Sequence, residues 1–431
     1  MTATDTGGGT TPVDRPGESS REILVELTRR TLDHARAGTV PLAGDVVRVP
    51  AANYHDPERW RLEMDRVFRR LPLVVGFSAE LDRPGAYKAL DVAGVPVLLI
   101  RSPGGDVGAF VNACSHRGAI VAEGSGTARR FTCPYHAWSY DADGALVGIL
   151  DRNDFGAVDP AELGLTPLPV AERSGLIFAL VRQDAATRDD LDLDPLLDTF
   201  LCGYDRLLDH FGFADCAFAG SQRVDGPNWK VAYDGYLDFY HLPILHRESF
   251  GTEINNKAIY DAWGPHQRVS SPDPRLVALE QRPSDAWTDV ELTGGVWTIF
   301  PHTSIATFTV KGDRRGDGGP MYMVSTLYPG AEPGTSVTVQ TFLAGFEVTD
   351  ELRPSIDAQR RFLHGVVRDE DYATGLGIQR ALAAGAKTDV LFGRNEAGGQ
   401  RFHGWVDRIL AAETDEDLLA VFASAETAFQ R

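Results

Sequence analysis

Two mixed pairs of metal-binding side chains lie close together in this chain: Cys114 and His116 in ACSHRGA, then Cys133 and His136 in TCPYHAW, with 16 residues between His116 and Cys133. Thiolates hold iron in iron-sulfur clusters, and placing two histidines on one iron raises the reduction potential, which makes the Rieske type of [2Fe-2S] centre. Cys-x-His followed by Cys-x-x-His is that ligand pattern, so the spacing predicts such a cluster. A structural zinc site also takes two Cys and two His, but as Cys pairs followed by His pairs. A second group lies further on, where NWKVAYDGYLDFYHLPILH places Asp238, His241 and His246 near one another. On a helix Asp238 and His241, at i and i+3, share a face, while His241 and His246 stand roughly 140° apart. Pro243 lacks an N–H, so it is expected to kink or end the helix between the two histidines and let His246 swing back towards a metal held by His241. Two imidazoles and one carboxylate on one side of an iron form the facial triad of oxygen-activating Fe(II) enzymes, with positions left open for dioxygen. Taken alone, a His pair in an aromatic-rich helix is equally a core or interface feature.

NACSHRGA, FTCPYHAWSYDADGAL and NWKVAYDGYLDFYHLPILH follow one another along the chain. On these segments the chain resembles the Rieske non-heme iron oxygenases, specifically the large catalytic (alpha) subunit of the aromatic ring-hydroxylating type, over most of its length. The resemblance implies a Rieske [2Fe-2S] cluster and a mononuclear Fe(II) at which dioxygen is cleaved to hydroxylate carbon, with electrons delivered one at a time through the cluster. It also implies an acidic iron ligand in a C-terminal helix, eight positions before a Gln; RDEDYATGLGIQRAL supplies Asp371 with Gln379. Asp369 and Glu370 are immediate neighbours, and an acidic run on a helix is also commonly a solvated face. For Asp238 the resemblance implies a hydrogen bond from the first iron histidine and another from a cluster histidine of the adjacent subunit, bridging the two metal sites. A carboxylate so placed orients an imidazole and raises its basicity.

The elements that must carry these residues follow from pattern and punctuation. REILVELTRRTLDHARAG and HDPERWRLEMDRVFRRL have apolar residues at helical spacing. From about Leu71 to about Val181 the chain reads as short strands with Gly and Pro turns: AYKALDV, VPVLLIRS, GAFVNAC entering the first ligand loop, RRFTCPYHAW entering the second, and SGLIFALV closing. A helical connector with DPLLDTFLCGYDRLLDHF follows, then strand-like TSIATFTV, MYMVSTLYP and TSVTVQTFLAGF, then helices in IDAQRRFLHGVVRDEDYATGLGIQRALAAG and WVDRILAAETDEDLLAVFASAETAFQ. The expected fold class is α+β: a small antiparallel β Rieske domain, residues 71–181, and a larger catalytic domain, residues 182–431, whose antiparallel sheet is covered by helices. Residues 21–70 are expected as N-terminal helices packing on the catalytic domain, and the Gly-, Thr-, Pro- and Ser-rich residues 1–20 as a disordered tail.

Bulk properties narrow the function. A chain of 431 residues is too long for a lone cluster domain and long enough for two domains with their own cores. With 43% apolar and 24% charged residues and no apolar run near the ~18 residues of a membrane span, membrane insertion is not expected. The first twenty residues lack the basic start and apolar stretch of a secretory signal, from which a cytoplasmic location is expected. Four cysteines make no disulfide framework, and Cys202 and Cys216 are expected to be buried, reduced and structural. A net charge of −19 with no Lys/Arg-dense run argues against nucleic-acid binding. No GxGxxG follows a strand and opens a helix, so NAD(P)H is expected to be oxidised by a separate reductase, with or without a ferredoxin. Arg117, Arg129 and Arg130 offer a local basic docking patch, or are ordinary surface arginines. The family resemblance further implies a ring-shaped homotrimer in which the cluster of one subunit faces the iron of its neighbour, with or without small β subunits.

Substrate signals are weak. Gly235, Leu242, Phe250, Phe300 and Phe308 are candidates to line the pocket or are ordinary core. No evident aromatic cage for a quaternary ammonium and no evident Arg for a carboxylate favours a neutral aromatic or alicyclic compound. The expected activity is ring mono- or cis-dihydroxylation. The alternatives are O- or N-demethylation with the same machinery, a Rieske electron carrier without catalysis, and a structural zinc protein.

Overall fold

Alternation sets the strands. In the run from Met321 to Ala344, Met321 and Met323 point to one face, and antiparallel register brings them opposite Ala344 and Phe342 on the same side. Phe308 and Ala306 of the next strand join that face opposite Met321 and Met323. The helix Arg353–Gly365 covers it with Ile356 and Leu363, giving one apolar cluster with Val310 and Leu352. The computed structural model describes residues 19–182, 192–252, 254–312 and 317–428. Except for Ser19 and Ser20, the tail expected over residues 1–20 lies outside the described residues.

The chain divides into two units. The larger takes the chain up to Val67, Thr199–Gly212 and everything from Ala219 onward. Its centre is a seven-stranded antiparallel sheet in the order Ala217–Gly226, Ser336–Ala344, Gly318–Pro329, Thr303–Lys311, Val296–Ile299, His266–Ser270 and Ile259–Trp263. The helix Trp229–Leu237 packs on strands Gly318–Pro329, Ser336–Ala344 and Val296–Ile299, and the helices Ala373–Ala383 and Ala397–Ala411 pack on it in turn. A helix at Ser20–Ala37 begins with a capping box, Ser19 with Glu22, and ends on Gly38 in the left-handed region. The next helix is shorter than its pattern suggests: Asp56 caps Pro57–Glu63, and Met64–Phe68 continues as a π-helix.

The smaller unit is Phe68–Asp198 with Phe213–Phe218. Five strands pair in the order Pro167–Leu168, Val107–Val111, Val95–Arg101, Ala86–Val92 and Ser125–Thr127. Leu73–Phe77 pairs with Leu176–Ala179, so the first and last strands of the unit close on each other. A third small sheet, Phe131–Thr132, Ser139–Tyr140 and Leu146–Gly148, carries the second ligand loop. This mixed α and β architecture, with small antiparallel sheets in one unit and a seven-stranded antiparallel sheet with helices in the other, is the fold class expected from sequence.

Three local expectations are corrected. The 229–246 segment is not one helix kinked at Pro243. The helix ends at Leu237, and Asp238 turns extended with its carboxylate accepting the Tyr240 N–H, an Asx turn that competes with the helix. Pro243 then sits in the first turn of a new short helix, Leu242–Leu245, where a missing N–H costs nothing. The long C-terminal helix is interrupted by a π-helical turn, Val366–Tyr372, between Arg353–Gly365 and Ala373–Ala383. Cys202 is only partly buried, with φ +54°, whereas Cys216 is buried. No helix among the described residues is long and apolar enough to cross a membrane.

Candidate metal centres

The two Cys/His loops share one backbone design. Cys114 N–H donates to Ala119 O and Gly118 N–H to Cys114 O; Cys133 N–H donates to Trp138 O and Ala137 N–H to Cys133 O. The fifth residue of each loop, Gly118 at φ +75° and Ala137 at φ +55°, lies in the left-handed region.

Cys114 and Cys133 are buried in the core cluster with Phe131, Trp138, Tyr140 and Leu146, while His116 and His136 are partly exposed. The imidazoles meet edge to face with centroids 4.6 Å apart and planes at 61°, and His116 stacks on Trp138 at 5.0 Å with Phe155 against its edge. His116 Nδ1 is buried and has no hydrogen-bond partner, an arrangement that costs free energy unless something else satisfies it. An iron held on that nitrogen would do so. Tyr140 lies 3.2 Å from Cys114 Sγ and accepts the Ser115 N–H, so the phenol O–H is free to donate to the sulfur. Burial, and then the Cys114 sulfur, push the Tyr140 pKa up to about 12, keeping that proton in place. Arg117, Arg129 and Arg130 are all exposed on this unit.

In the larger unit His241, His246 and Asp371 converge. His241 Nε2 and His246 Nε2 are 3.2 Å apart, and Asp371 Oδ1 is 3.6 Å from the first and 3.2 Å from the second. These ligand atoms all lie within 4.8 Å of one another. The opposite edge of each ring meets a carboxylate: His241 Nδ1 is 3.0 Å from Asp238 Oδ2 and His246 Nδ1 is 2.6 Å from Glu370 Oε2. A carboxylate only accepts, so each Nδ1 carries a proton, and in the neutral ring Nε2 then presents a bare lone pair. Two lone pairs and a carboxylate oxygen facing one point repel one another unless a cation lies between them, which fits a divalent iron held by two His and one Asp. Burial pushes the His246 imidazolium down, yet Asp371 and Glu370 together outweigh it and hold the group above the usual histidine value before any metal binds.

The three consecutive acids thus separate. Asp369 pairs with Arg368 on the surface, Glu370 turns to His246 Nδ1, and Asp371 faces both Nε2 atoms. Gln379 is buried, accepts the Asn228 N–H and donates to Tyr54 O, tying the helix after the π turn to the start of Trp229–Leu237. That start is also locked from below. Glu63 is fully buried, accepting from Trp229 Nε1 at 2.9 Å and Lys230 Nζ at 2.5 Å, with Arg59 on its other oxygen.

A cavity of about 260 Å³ opens beside His241 and Asp371, with Asp234, Gly235, Asp238 and Glu396 in its wall. Of the proposed pocket residues, Gly235 lines it, and a Cβ there would meet open space. Phe300 is buried, Phe308 packs on the sheet cluster, and neither these nor Leu242 and Phe250 line this cavity. Ser249 and Tyr140 are site neighbours that sequence reasoning missed, and Glu370, weighed there only as a neighbour competing with Asp371 for the metal, turns instead to His246 Nδ1.

The comparisons with known proteins agree with this layout. Residues 72–155 match the Rieske [2Fe-2S] domain and residues 213–412 the ring hydroxylating alpha subunit catalytic domain. The chain is 31% identical over 366 residues to the chloroplastic choline monooxygenase of Spinacia oleracea, covering 84% of this chain and 78% of that one. It is also 31% identical over 257 residues to the chlorobenzene dioxygenase subunit alpha of Cupriavidus sp. (strain PS12), covering 55% of this chain. The matched stretch spans about half of that relative, 56%, and 51% of the glycine betaine monooxygenase oxygenase subunit of Chromohalobacter salexigens. In fold it is similar to Rhodococcus sp. naphthalene 1,2-dioxygenase bound to indole, with TM-score 0.69 at 21% identity over 90% of this chain and 98% of that one. The quaternary ammonium Rieske monooxygenase CntA in complex with L-carnitine gives TM-score 0.66 at 21% identity over 85% and 96%. With a Rieske segment, a catalytic segment and a relative of this identity over most of its length, the chain belongs to the Rieske non-heme iron oxygenase alpha subunits, oxidoreductases that carry a [2Fe-2S] cluster and a mononuclear iron.

Proposed function

We propose that this chain is a terminal oxygenase that hydroxylates a C–H bond, or cis-dihydroxylates a double bond, of a small aromatic or alicyclic molecule, with electrons from NAD(P)H through a separate reductase. The observation that carries it is the convergence of His241 Nε2, His246 Nε2 and Asp371 Oδ1 in a chain that also holds Cys114, His116, Cys133 and His136 in two matched loops. When bound, the cluster supplies electrons singly and the mononuclear iron supplies the place where dioxygen is activated. Asp238 keeps the proton on His241 Nδ1 and so keeps Nε2 directed at the metal. Gly235 leaves space beside that point for substrate. The family resemblance supports a homotrimer with Asp238 between the two metal sites of neighbouring subunits; mass in solution reads out that assembly.

One observation favours a second reading. The cavity beside His241 carries Asp234, Asp238 and Glu396 in its wall, and such a wall suits a cationic ammonium compound, from which oxidation of an N-methyl group releases formaldehyde. The similarity to choline and quaternary ammonium monooxygenases points the same way.

Purified holoprotein, supplied with NADH, a reductase and a ferredoxin, is incubated with a panel of aromatic and alicyclic hydrocarbons and a panel of quaternary ammonium compounds. Alcohol, phenol or diol products support the first reading and formaldehyde the second. His241→Ala is expected to lose product while keeping the red cluster; undiminished turnover in that variant refutes the proposed iron site.

A further inference from the structure

Each imidazole of the His241–His246 pair is gripped by a different carboxylate, and the second grip is assigned by nothing in the sequence pattern. Resting on the iron-site reading above, the geometry points to Glu370 as a positioning residue that fixes His246 for metal binding, as Asp238 does for His241. Glu370 Oε2 accepts from His246 Nδ1 at 2.6 Å and from Ser249 Oγ at 2.8 Å. Ser249 lies three residues after His246, on the short helix Arg247–Phe250, so the segment that offers the ligand also holds the carboxylate that orients it.

The need for such a grip is stronger here than at His241. A neutral imidazole exchanges its proton between two nitrogens, and only the tautomer with hydrogen on Nδ1 leaves Nε2 free for iron. Backbone offers His246 little help, because it sits at the junction of two one-turn helices, Leu242–Leu245 and Arg247–Phe250. It is also buried, 4% exposed, so water is a poor substitute partner for Nδ1. Glu370 itself is only partly buried and makes its hydrogen bonds here to His246 and Ser249, so its role is directed at the histidine and not at the core. The π turn Val366–Tyr372 explains how Glu370 and Asp371, adjacent in the chain, reach Nδ1 and Nε2 of the same ring: an extra residue per hydrogen-bonded turn brings successive side chains closer in angle than an α-helix does.

The test compares Glu370→Ala, Glu370→Gln and Ser249→Ala with wild type and His246→Ala, each purified with its cluster intact and stripped of mononuclear iron. Co(II) serves as the probe; its affinity and its visible d–d spectrum are measured, with cluster absorbance as the internal reference and the melting temperature of the stripped protein alongside. Glu370→Ala is expected to weaken Co(II) binding by about 10–100-fold and shift the spectrum, in the range found for outer partners of metal-bound histidines. Glu370→Gln, whose amide oxygen still accepts the Nδ1 proton, is expected to fall between it and wild type. Glu370→Ala with affinity within about twofold of wild type and an unchanged spectrum overturns the assignment, as does a loss of affinity that only tracks a fall in melting temperature. If His246→Ala keeps wild-type Co(II) binding, the iron-site reading itself fails and this assignment with it.

Discussion

Gly118 and Ala137 hold the same place in two equivalent loops, and one of them is the wrong residue for it. A left-handed φ costs a non-glycine residue about 1–2 kcal/mol, and Ala137 bears that cost at φ +55°. Ala137→Gly is therefore expected to stabilise the cluster unit by up to about 1 kcal/mol, after the greater freedom of glycine in the unfolded chain is subtracted. Gly118→Ala is expected to lose about as much, through backbone alone, because a Cβ at Gly118 meets nothing within 4 Å. Thermal denaturation followed by cluster absorbance checks both; changes of the same sign in the two variants would mean that the loops are not equivalent. The candidate ligand residues of these loops stand out in the sequence because Cys and His are scarce and their spacing is specific. Glu370 does not, since one acidic side chain in a run of three looks like its neighbours until the backbone gives each a direction.

At the level of elements, turn chemistry decides where the iron-site segment bends. The Asx turn at Asp238 ends the helix, and Pro243 merely starts the next one. Pro243→Ala is accordingly expected to retain mononuclear iron and to change stability by less than about 1 kcal/mol, measured by metal content and urea denaturation. Loss of that iron would restore the kink expected from sequence. Strands such as Ala86–Val92 and Val95–Arg101 were visible because their apolar runs are bounded by turn residues, here with Ala93 and Gly94 both at positive φ between them. The π turn was invisible for the opposite reason: VVRDEDY contains no Gly or Pro and nothing in its pattern marks an extra residue in the turn.

At the scale of the chain, the larger unit gathers segments that are far apart in sequence, and His266 joins three of them. It is fully buried, donates Nε2–H to Phe200 O at 2.8 Å and accepts the Phe300 N–H on Nδ1 at 3.1 Å. Burial holds its pKa down at about 4, against about 6.5 in the unfolded chain. Its contribution is thus complete above pH 6.5 and is lost as pH falls through about 4, because the unfolded state takes up the proton first. Over that window wild type is expected to lose on the order of 3 kcal/mol more than His266→Gln, whose amide supplies donor and acceptor without titrating. Urea midpoints at pH 7.5 and 4.5 measure the difference, and equal slopes would refute it. The smaller unit has a polarity of its own, since Cys114 and Cys133 lie in its core and His116 and His136 at its surface. A cluster seated there would be insulated on its sulfur flank and only partly covered on its nitrogen flank. Traffic of charge to any outside acceptor is thereby channelled through the imidazole rims, and soluble oxidants or thiol reagents meet those rims long before they meet the cysteines.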